Sequence, residues 1–524
     1  LLSGLAQSFR NLFSVQIIFA VAFTSIILAA CNKDITERTV PQFEPTAIER
    51  NGGTWKTLHI SAGSEPTVAA PSAAGSAAYN AEVDEVVRMQ NAMTSSDQKL
   101  IDQWKGSGAI KWNSIARALV AKYNIPPEAN PDGSYPVPSA ANPGAYPKFP
   151  FANPPYASRA YAYLSTALYD ALVACWQQKF THNRMAPSVV NNKIRALESV
   201  QKDLPSFPSE DAVVAQVAYR VLKQFFPLDS NMLLQTAMNQ KKAKILSGAA
   251  LPSDVTAAES IANFVADKAL ARSRTDGMGA AAGNPTLWAQ LESAAVGRGI
   301  GTAWKSMEVP ARPAMLPFFG DVKLWNLSSF QRDSLRPAAP PAVGSPQFMA
   351  ALDEVRRYAA DQSGSTWRIA LKWSDGIGSY TPPGHWNEIA CDLIGRYQLS
   401  ELRVARTLSL MNMAIADAGI CCWDTKTYYW YPRPSQMDNN IKTIGLPNFP
   451  SYTSGHSTFS GAAATVLAHL FPAEKTALLA MASEASMSRV YGGIHYRFDC
   501  EVGLACGKVI AGFAVKRAQT DGAE

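Results

Sequence analysis

The chain has 524 residues, 47% of them hydrophobic and 17% charged, which is enough for one large domain or two ordinary ones around a sizeable core. Its 48 Lys and Arg residues against 42 Asp and Glu residues give a net charge of +6, without a dense basic run. This balance argues against a nucleic-acid-binding protein and is compatible with small anionic ligands.

An apolar segment near the N-terminus is typical of an export signal. Arg10 precedes the run LFSVQIIFAVAFTSIILAAC, which ends in small residues before Cys31. This ending resembles a bacterial lipobox, in which the cysteine carries a lipid. We therefore expect residues 1–30 to be a signal peptide and Cys31 to anchor an exported protein to a bacterial membrane, facing the periplasm or the cell surface. An uncleaved membrane anchor is the alternative, because about 20 apolar residues can span a bilayer.

The rest of the chain is predicted to be a tether followed by one helical domain. Residues 31–82 are polar and partly Ala/Ser-rich, so we expect a flexible segment with little packed structure. From residue 83 to residue 524, apolar residues recur at three- and four-residue spacing, and strand-like alternation is scarce. The predicted helical segments are 112–124, 158–178, 210–226, 257–273, 346–360, 399–423, 457–471 and 474–491. Long Pro-rich loops, notably 131–156 and 379–387, separate helices of an all-α bundle domain.

The cysteines leave two interpretations open. Apart from Cys31, the chain has Cys175, Cys391, Cys421, Cys422, Cys500 and Cys506. An even number in an exported protein permits disulfides. Buried free thiols are an equally good interpretation.

Three short segments near the C-terminus, 423–435, 448–460 and 486–506, concentrate unusual polar residues. Ser454 and Gly455 stand where a helix is predicted to begin, and the free amide groups of a helix N-terminus favour an anion. Lys426, Arg433 and Arg489 supply positive charges, which suit a tetrahedral oxyanion. The three segments together therefore predict an oxyanion site.

Two histidines add chemistry to this predicted site. His495 and Asp499 are four residues apart and would share one face of a helix, so Asp499 could fix the imidazole tautomer and free the other nitrogen. His456 would lie at the opposite pole of the anion. Each residue alone has an ordinary structural interpretation, such as a helix cap or a surface charge. The joint pattern favours a functional site.

The order and spacing of these residues resemble the superfamily of vanadium-dependent haloperoxidases and type 2 phosphatidic acid phosphatases. Its signature is Lys, six residues, Arg-Pro; then Pro-Ser-Gly-His; then Ser-Arg, five residues, His, three residues, Asp. The matching positions are Lys426, Arg433-Pro434, Ser454-Gly455-His456, Ser488-Arg489, His495 and Asp499. Thr453 replaces the usual proline, which we expect to alter loop stiffness and not the chemistry.

The resemblance implies a fold built on helical bundles and a role for each residue. His495 would be the vanadium ligand, or the nucleophile that forms a phosphohistidine. Asp499 would orient His495, and His456 would be the general acid/base. The oxygens of vanadate, or of phosphate in the same site, would be held by Lys426, Arg433, Ser454, Gly455 and Arg489.

The same site serves two reactions, because vanadate mimics phosphate. A haloperoxidase would use vanadate and hydrogen peroxide to convert halide to a hypohalous acid equivalent. An acid phosphatase would attack a phosphomonoester with His495. The sequence YRFD before Cys500 resembles the haloperoxidases, as do Trp423 and Phe449, which would form an apolar wall for halide or serve as ordinary core aromatics.

We therefore favour the haloperoxidase, with the acid phosphatase as the alternative. A non-catalytic surface-binding lipoprotein is a weaker alternative, because it predicts decay of the signature, and every charged and imidazole position is present. His385, in TPPGHWNEIA, is interpreted as a surface or helix-capping residue in preference to a residue at the rim of the pocket.

Overall fold

Helices make up nearly all the regular structure of residues 45–524, the part of the chain that this computed structural model describes. The α-helices are α1 (Ala77–Asn91), α2 (Ser95–Trp104), α3 (Gly108–Tyr123), α4 (Pro154–His182), α5 (Pro187–Val190), α6 (Glu210–Phe225), α7 (Ser230–Leu246), α8 (Pro252–Arg274), α9 (Pro285–Gly297), α10 (Ser329–Ser334), α11 (Pro346–Ala360), α12 (Ser365–Lys372), α13 (Thr381–Tyr397), α14 (Glu401–Tyr429), α15 (Pro434–Met437), α16 (Gly455–Leu470), α17 (Lys475–Tyr491) and α18 (Arg497–Ala518). Short 3₁₀ helices span Gly52–Thr54, Pro227–Asp229, Met278–Ala280, Phe319–Asp321 and Pro472–Glu474. Within the described residues, β pairing is limited to an isolated bridge between Met185 and Pro205, so the all-α prediction is confirmed.

Two groups of helices form the body of the protein. In the C-terminal group α16 packs against α14, α17 and α18, and in the other group α6 packs against α4, α7 and α8. The 29-residue helices α4 and α14 are buried along most of their length and pack against each other, which joins the groups. Both helices are apolar around most of their circumference, as expected for helices surrounded by other helices. Among residues 45–524, no helix combines the length and apolar character that crossing a membrane requires.

The helical segments predicted from the sequence are helices in the structure, apart from a few terminal residues. The predicted loop 379–387 is wrong for most of its length, because α13 begins at Thr381 and continues through it. Pro382 and Pro383 occupy the first turn of α13, where a missing N–H removes no helical hydrogen bond and the fixed φ suits the helix. The other Pro-rich loop ends where α4 begins at Pro154.

Helix α18, which is absent from the predicted segments, approaches α16 closely along a face with glycines. A Cβ on Gly507 would lie 2.2 Å from the carbonyl oxygen of Thr458, and one on Gly503 would lie 2.9 Å from that of Ser454. Glycine lowers helix propensity, which weakens the sequence pattern, but it lets two backbones pack closely. This close packing brings the N-terminus of α18 beside that of α16, where the amide of Ser454 donates to the carbonyl of Asp499 at 3.0 Å.

Two parts of the predicted flexible tether over residues 31–82 are packed in the structure, at residues 55–60 and from Ala77 onward. The buried carboxylate of Asp170 in α4 accepts backbone N–H groups from Leu58 at 2.9 Å, His59 at 2.5 Å and Ile60 at 3.4 Å. Trp55 is also buried, and α1 begins at Ala77. The sequence did not predict this packing, because the segment has few apolar residues and is attached through the carboxylate of the distant Asp170. The predicted signal peptide and Cys31 lie outside the described residues.

Asp170→Ala should destabilise the protein by about 2–4 kcal/mol, because it leaves buried amide groups without an acceptor. Urea denaturation of the protein from residue 32 onward would measure this loss. Asp84→Ala is the matched control, since its carboxylate is 63% exposed and lies 3.7 Å from Lys193. Equal stability of the two variants would contradict a packed segment at residues 55–60.

The six cysteines in the described residues are free thiols, and all except Cys506 are buried. Burial raises the pKa of Cys175, Cys391 and Cys500 to about 12, so these thiols stay protonated near neutral pH. Buried free thiols are therefore the interpretation that the structure supports.

Candidate active site

The three C-terminal segments meet where several helices end. Lys426 is in the last turn of α14, and Arg433 precedes α15. Ser454 caps α16, and its Oγ accepts the amide of Ser457 at 3.4 Å. The remaining signature residues are Gly455 and His456 in the first turn of α16, Arg489 in the last turn of α17, and His495 and Asp499 at the start of α18. The predicted helix start at Ser454 and Gly455 is confirmed, because the helix begins at Gly455 and Ser454 is its cap.

A cavity of about 500 Å³ opens onto these residues. The signature residues that line it are Gly455, His456, Arg489 and His495. Lys426, Arg433, Ser454 and Asp499 are buried around this end of the cavity. A Cβ on Gly455 would lie 3.7 Å from the Trp423 ring, so the protein leaves room beside this backbone at the cavity end.

His495 and Asp499 form the predicted pair, although by a different geometry. His495 lies in the turn before α18, and its Nδ1 is 2.9 Å from Oδ2 of Asp499 in the first turn of that helix. The same oxygen accepts the Ser451 hydroxyl at 2.5 Å and the Tyr496 amide at 3.2 Å. This arrangement favours a proton on Nδ1 and a free lone pair on Nε2 of His495.

The His495 ring is held in its neutral form. Its pKa lies well below the usual range, first because it is buried and then because the cations of Arg433 and Lys426 are near. Arg433 NH1 is 3.4 Å from Nε2. A neutral imidazole whose Nε2 carries a lone pair can bind a metal centre or attack phosphorus once an anion takes over this contact with Arg433.

Arg433 and Lys426 are fixed by backbone carbonyl groups. Arg433 donates to the carbonyls of Phe449 at 2.9 Å and Ile494 at 2.7 Å, and its NH2 has no hydrogen-bond partner among the described residues. Lys426 Nζ donates to the carbonyls of Pro450 at 2.7 Å and Ser451 at 2.8 Å. Both cations are therefore held rigidly at the cavity end, and Arg433 keeps one donor free.

Three cations are almost completely buried, at most 1% exposed: Lys426, Arg433 and Arg489. Lys426 and Arg433 share one nearby carboxylate, that of Asp499. Burial lowers the pKa of Lys426 to about 7, that of Arg433 to about 9 and that of Arg489 to about 10. Buried cations without enough counter-charge are costly. A bound anion would offset that cost, so this part of the protein is suited to hold one.

Asp375 is a site residue that the sequence pattern did not reveal. It lies in the loop between α12 and α13, lines the cavity, and places Oδ2 4.0 Å from Nε2 of His456. This nitrogen of His456 has no hydrogen-bond partner among the described residues. Burial, followed by the charge of Arg489, holds the pKa of His456 well below its usual range.

Trp423 and Phe449 form one apolar wall of the cavity, with ring centroids 5.1 Å apart. Lys426 Nζ lies 5.0 Å from the Phe449 centroid, and the Arg433 guanidinium carbon lies 4.9 Å from it. The Trp423 indole N–H donates to the carbonyl of Met315 at 3.0 Å. These rings are both core aromatics and cavity wall, and Phe449 contacts two of the buried cations.

The residues present fit a vanadate or phosphate ion. Arg433 has an Nη2 without a hydrogen-bond partner among the described residues, and its Nη1 is 3.4 Å from Nε2 of His495, at the same end of the cavity as the α16 N-terminus. Among the described residues, no three His, Cys, Asp or Glu side chains gather as a metal-binding cluster. One imidazole surrounded by cationic donors suits an oxyanion that brings its own oxygen ligands.

Orthovanadate or phosphate should stabilise the protein against thermal unfolding. At 100 times its dissociation constant, the ion should raise the free energy of unfolding by about 2.7 kcal/mol, because it binds only the folded state. Differential scanning calorimetry would measure this, with sodium chloride of equal ionic strength as the control. Arg433→Met should remove most of the stabilisation. A wild-type melting temperature that responds equally to chloride would contradict an oxyanion site.

Comparison with known proteins is consistent with this geometry. The model of the PAP2 superfamily matches residues 407–522. The vanadium chloroperoxidase of Curvularia inaequalis is 28% identical over 200 residues, which cover 30% of this chain and 32% of that protein. A lipid A 1-phosphatase of Rhizobium etli is 46% identical over 63 residues, which cover 12% of this chain and 27% of that protein. The matches thus span about a third or less of these curated relatives.

One solved structure shares the fold over most of its length. The crystal structure described as the first bacterial vanadium-dependent iodoperoxidase aligns with a TM-score of 0.52 and 22% sequence identity. The alignment covers 70% of this chain and 91% of that one. It supports the helical architecture that the described residues show.

Proposed function

We propose that this protein is a vanadate-dependent haloperoxidase, which uses hydrogen peroxide to oxidise halide to a hypohalous acid equivalent; the match of the PAP2 superfamily model to residues 407–522 supports this proposal. The proposal rests on the arrangement of side chains at one end of the cavity. There, a neutral His495, whose Nε2 is contacted among the described residues only by the cationic Arg433, adjoins three buried cations that have fewer carboxylates than charges, beside an aromatic wall. The match to the chloroperoxidase, which extends over 200 residues, supports the same reaction.

His495 would hold the vanadium through Nε2, because Asp499 occupies its Nδ1. Vanadate, when bound, supplies a Lewis-acidic centre that activates peroxide toward halide. Ser451 and the amide of Tyr496 fix the carboxylate of Asp499, so the ring of His495 keeps one orientation.

The cationic residues would stabilise negative charge on the oxygens. Arg433 offers its free NH2, Arg489 lines the cavity, and the α16 N-terminus offers Ser454 and the amide of Gly455. Lys426 adds a buried positive charge, and an anion nearby would raise its pKa above the value of about 7 to which burial lowers it. These fixed groups need no rearrangement to receive an anion.

His456 would move protons, and the aromatic wall would receive the halide. The neutral ring of His456 lines the cavity in the first turn of α16 and can accept a proton from peroxide or return one to the product. Trp423 and Phe449 offer an apolar, poorly hydrated surface, on which a weakly hydrated halide is bound more favourably than in open water.

An acid phosphatase is the second candidate, favoured by the 46% identity to a lipid A 1-phosphatase over 63 residues. His495 Nε2 would attack the phosphorus of a phosphomonoester and form a phosphohistidine. His456 would donate a proton to the leaving oxygen, and water would then release phosphate. The same cations would hold the phosphoryl oxygens.

One experiment separates these functions. Protein expressed from residue 32 onward is stripped of bound anions, reloaded with orthovanadate or phosphate, and assayed for peroxide-dependent bromination and for p-nitrophenyl phosphate hydrolysis. Bromination that requires vanadate is the expected result. Hydrolysis that vanadate inhibits, without bromination, would indicate the phosphatase. Anion binding without either activity would indicate the non-catalytic binding protein.

Export and lipid attachment at Cys31 belong to the same proposal and rest on the apolar run that precedes this cysteine. Expression of the chain with its own leader should give a protein that partitions with membranes and carries a lipid at Cys31, as mass spectrometry would detect. Cys31→Ser should release the protein from membranes. Membrane retention of that variant would favour an uncleaved anchor.

A further inference from the structure

His385 lies outside the signature segments, yet it bonds a carboxylate that reaches the cavity. It is in the first turns of α13, and its Nδ1 is 3.1 Å from Oδ1 and 3.2 Å from Oδ2 of Asp375. The Asp375 side chain is only 7% exposed and lines the cavity. His385 is therefore neither a free surface residue nor a helix cap.

Asp375 connects His385 to His456. Its Oδ2 lies 4.0 Å from Nε2 of His456, which has no hydrogen-bond partner among the described residues. A small shift of either side chain would make this contact a hydrogen bond. A carboxylate there would stabilise His456 while the ring carries a proton.

The surroundings hold His385 and Asp375 in place. The His385 ring stacks on Trp373, with centroids 4.4 Å apart and planes at 22°, and the Trp373 indole donates to Glu484 at 2.8 Å. Asp375 has a left-handed backbone conformation, with φ of +43°, which a non-glycine residue adopts only when its environment favours it. The bond from His385 is one such interaction.

Other charged groups surround the two histidines, and the cation of Arg489 also interacts with Asp375. On the outer side of His385, Glu388 pairs with Arg117 at 3.3 Å and accepts the Tyr380 hydroxyl at 2.6 Å. On the cavity side, His456 faces the cation of Arg489 as well as Asp375. His495, Lys426, Arg433 and Asp499 are further charged and titratable groups around that end of the cavity.

We propose that His385 is a positioning residue, which donates its Nδ1–H to Asp375 and thereby holds that carboxylate against His456. The inference rests on the proposed role of His456 as the general acid/base. It extends the working site from three C-terminal segments to α13 and the loop before it. No bond to substrate or vanadate is assigned to His385.

Two substitutions at His385 separate positioning from packing. His385→Asn keeps a nitrogen donor near the place of Nδ1, whereas His385→Leu keeps bulk and removes the donor. We expect His385→Leu to lower kcat by about 10- to 100-fold, which is the usual effect of removing a residue that positions a functional group. Its affinity for orthovanadate should stay within about two-fold of the wild-type value. His385→Asn should recover most of kcat. His469→Leu, at a partly exposed pair with Glu524, is the control.

A second measurement does not depend on turnover. The chain has 6 histidines, so the ring ¹⁵N spectrum of labelled protein can be assigned by single substitutions. His385→Leu and Asp375→Asn should both displace the His456 signals, and His385→Asn should not. The Asp375→Asn variant keeps this test available if His385→Leu does not fold.

The outcomes separate this inference from the proposed function. Wild-type kcat and unchanged His456 signals in His385→Leu would overturn the positioning role. Equal defects in His385→Asn and His385→Leu would assign His385 to packing and also overturn it. A wild-type protein that is inactive in both assays would refute the proposed function, and the ring spectra would still decide whether His385 acts on His456.

Discussion

His495→Ala should abolish both vanadate retention and turnover. The imidazole is the only proposed protein ligand of the vanadium, because Nδ1 is bonded to Asp499 and Nε2 has, among the described residues, only a long contact of 3.4 Å to Arg433. Loss of a ligand should exceed the roughly 10- to 100-fold loss of affinity that follows removal of an outer partner of a ligand. Equilibrium dialysis with orthovanadate and the bromination assay would measure the two effects.

Asp499→Asn and His469→Ala are the comparison variants for His495. Asp499→Asn keeps the shape of a side chain that hydrogen-bonds to His495, Ser451 and Tyr496. We therefore expect this variant to lose about 10- to 100-fold in vanadate affinity. His469→Ala removes an imidazole that is 24% exposed and should bind vanadate as the wild type does. Normal vanadate affinity in His495→Ala would refute the assignment of the site.

His456→Ala should separate binding from turnover. The ring lies in the first turn of α16 without a hydrogen bond at Nε2 among the described residues, so its removal leaves the cationic groups in place. We expect oxyanion affinity to change little and turnover to fall by about 10²- to 10⁴-fold, the usual contribution of a general acid or base. Vanadate titration and steady-state kinetics on one preparation would give both numbers.

The pH dependence gives a second test of His456. Burial and the charge of Arg489 lower the pKa of His456 well below its usual range, so the ring is neutral near pH 7. An anion beside the ring would favour the protonated form and raise its pKa. The wild-type rate should therefore show an ionisation that His456→Ala lacks. A variant that loses vanadate binding together with turnover would instead place His456 among the groups that hold the anion.

The peroxidase and phosphatase interpretations differ little at the anion itself. Both need a neutral His495, a fixed carboxylate behind it and cations around the oxygens, and the structure supplies all three. They differ in what else enters the cavity of about 500 Å³. A halide needs only the Trp423–Phe449 wall, whereas a phosphomonoester must fit its organic part between the cavity loops.

The sequence by itself determined most of the helices and singled out the signature residues, which the structure places around one end of the cavity. Helices depend on local periodicity, which the chain carries clearly in segments such as 158–178 and 346–360. The spacing of Lys426, Arg433 and the Ser-Gly-His turn is also local. The His495–Asp499 pair was predicted correctly as a contact, although His495 precedes the helix instead of lying in it.

Only the tertiary structure decided which distant groups join those residues. Asp375 precedes His456 by 81 positions, and Asp170 reaches back 110 to 112 residues to bind the segment at Leu58–Ile60. A single carboxylate in a loop has no periodicity and no fixed spacing, so its partner depends on how helices pack. The shortage of negative charge around Lys426 and Arg433 also depends on burial. Burial results from helix packing, so it cannot be read from the sequence.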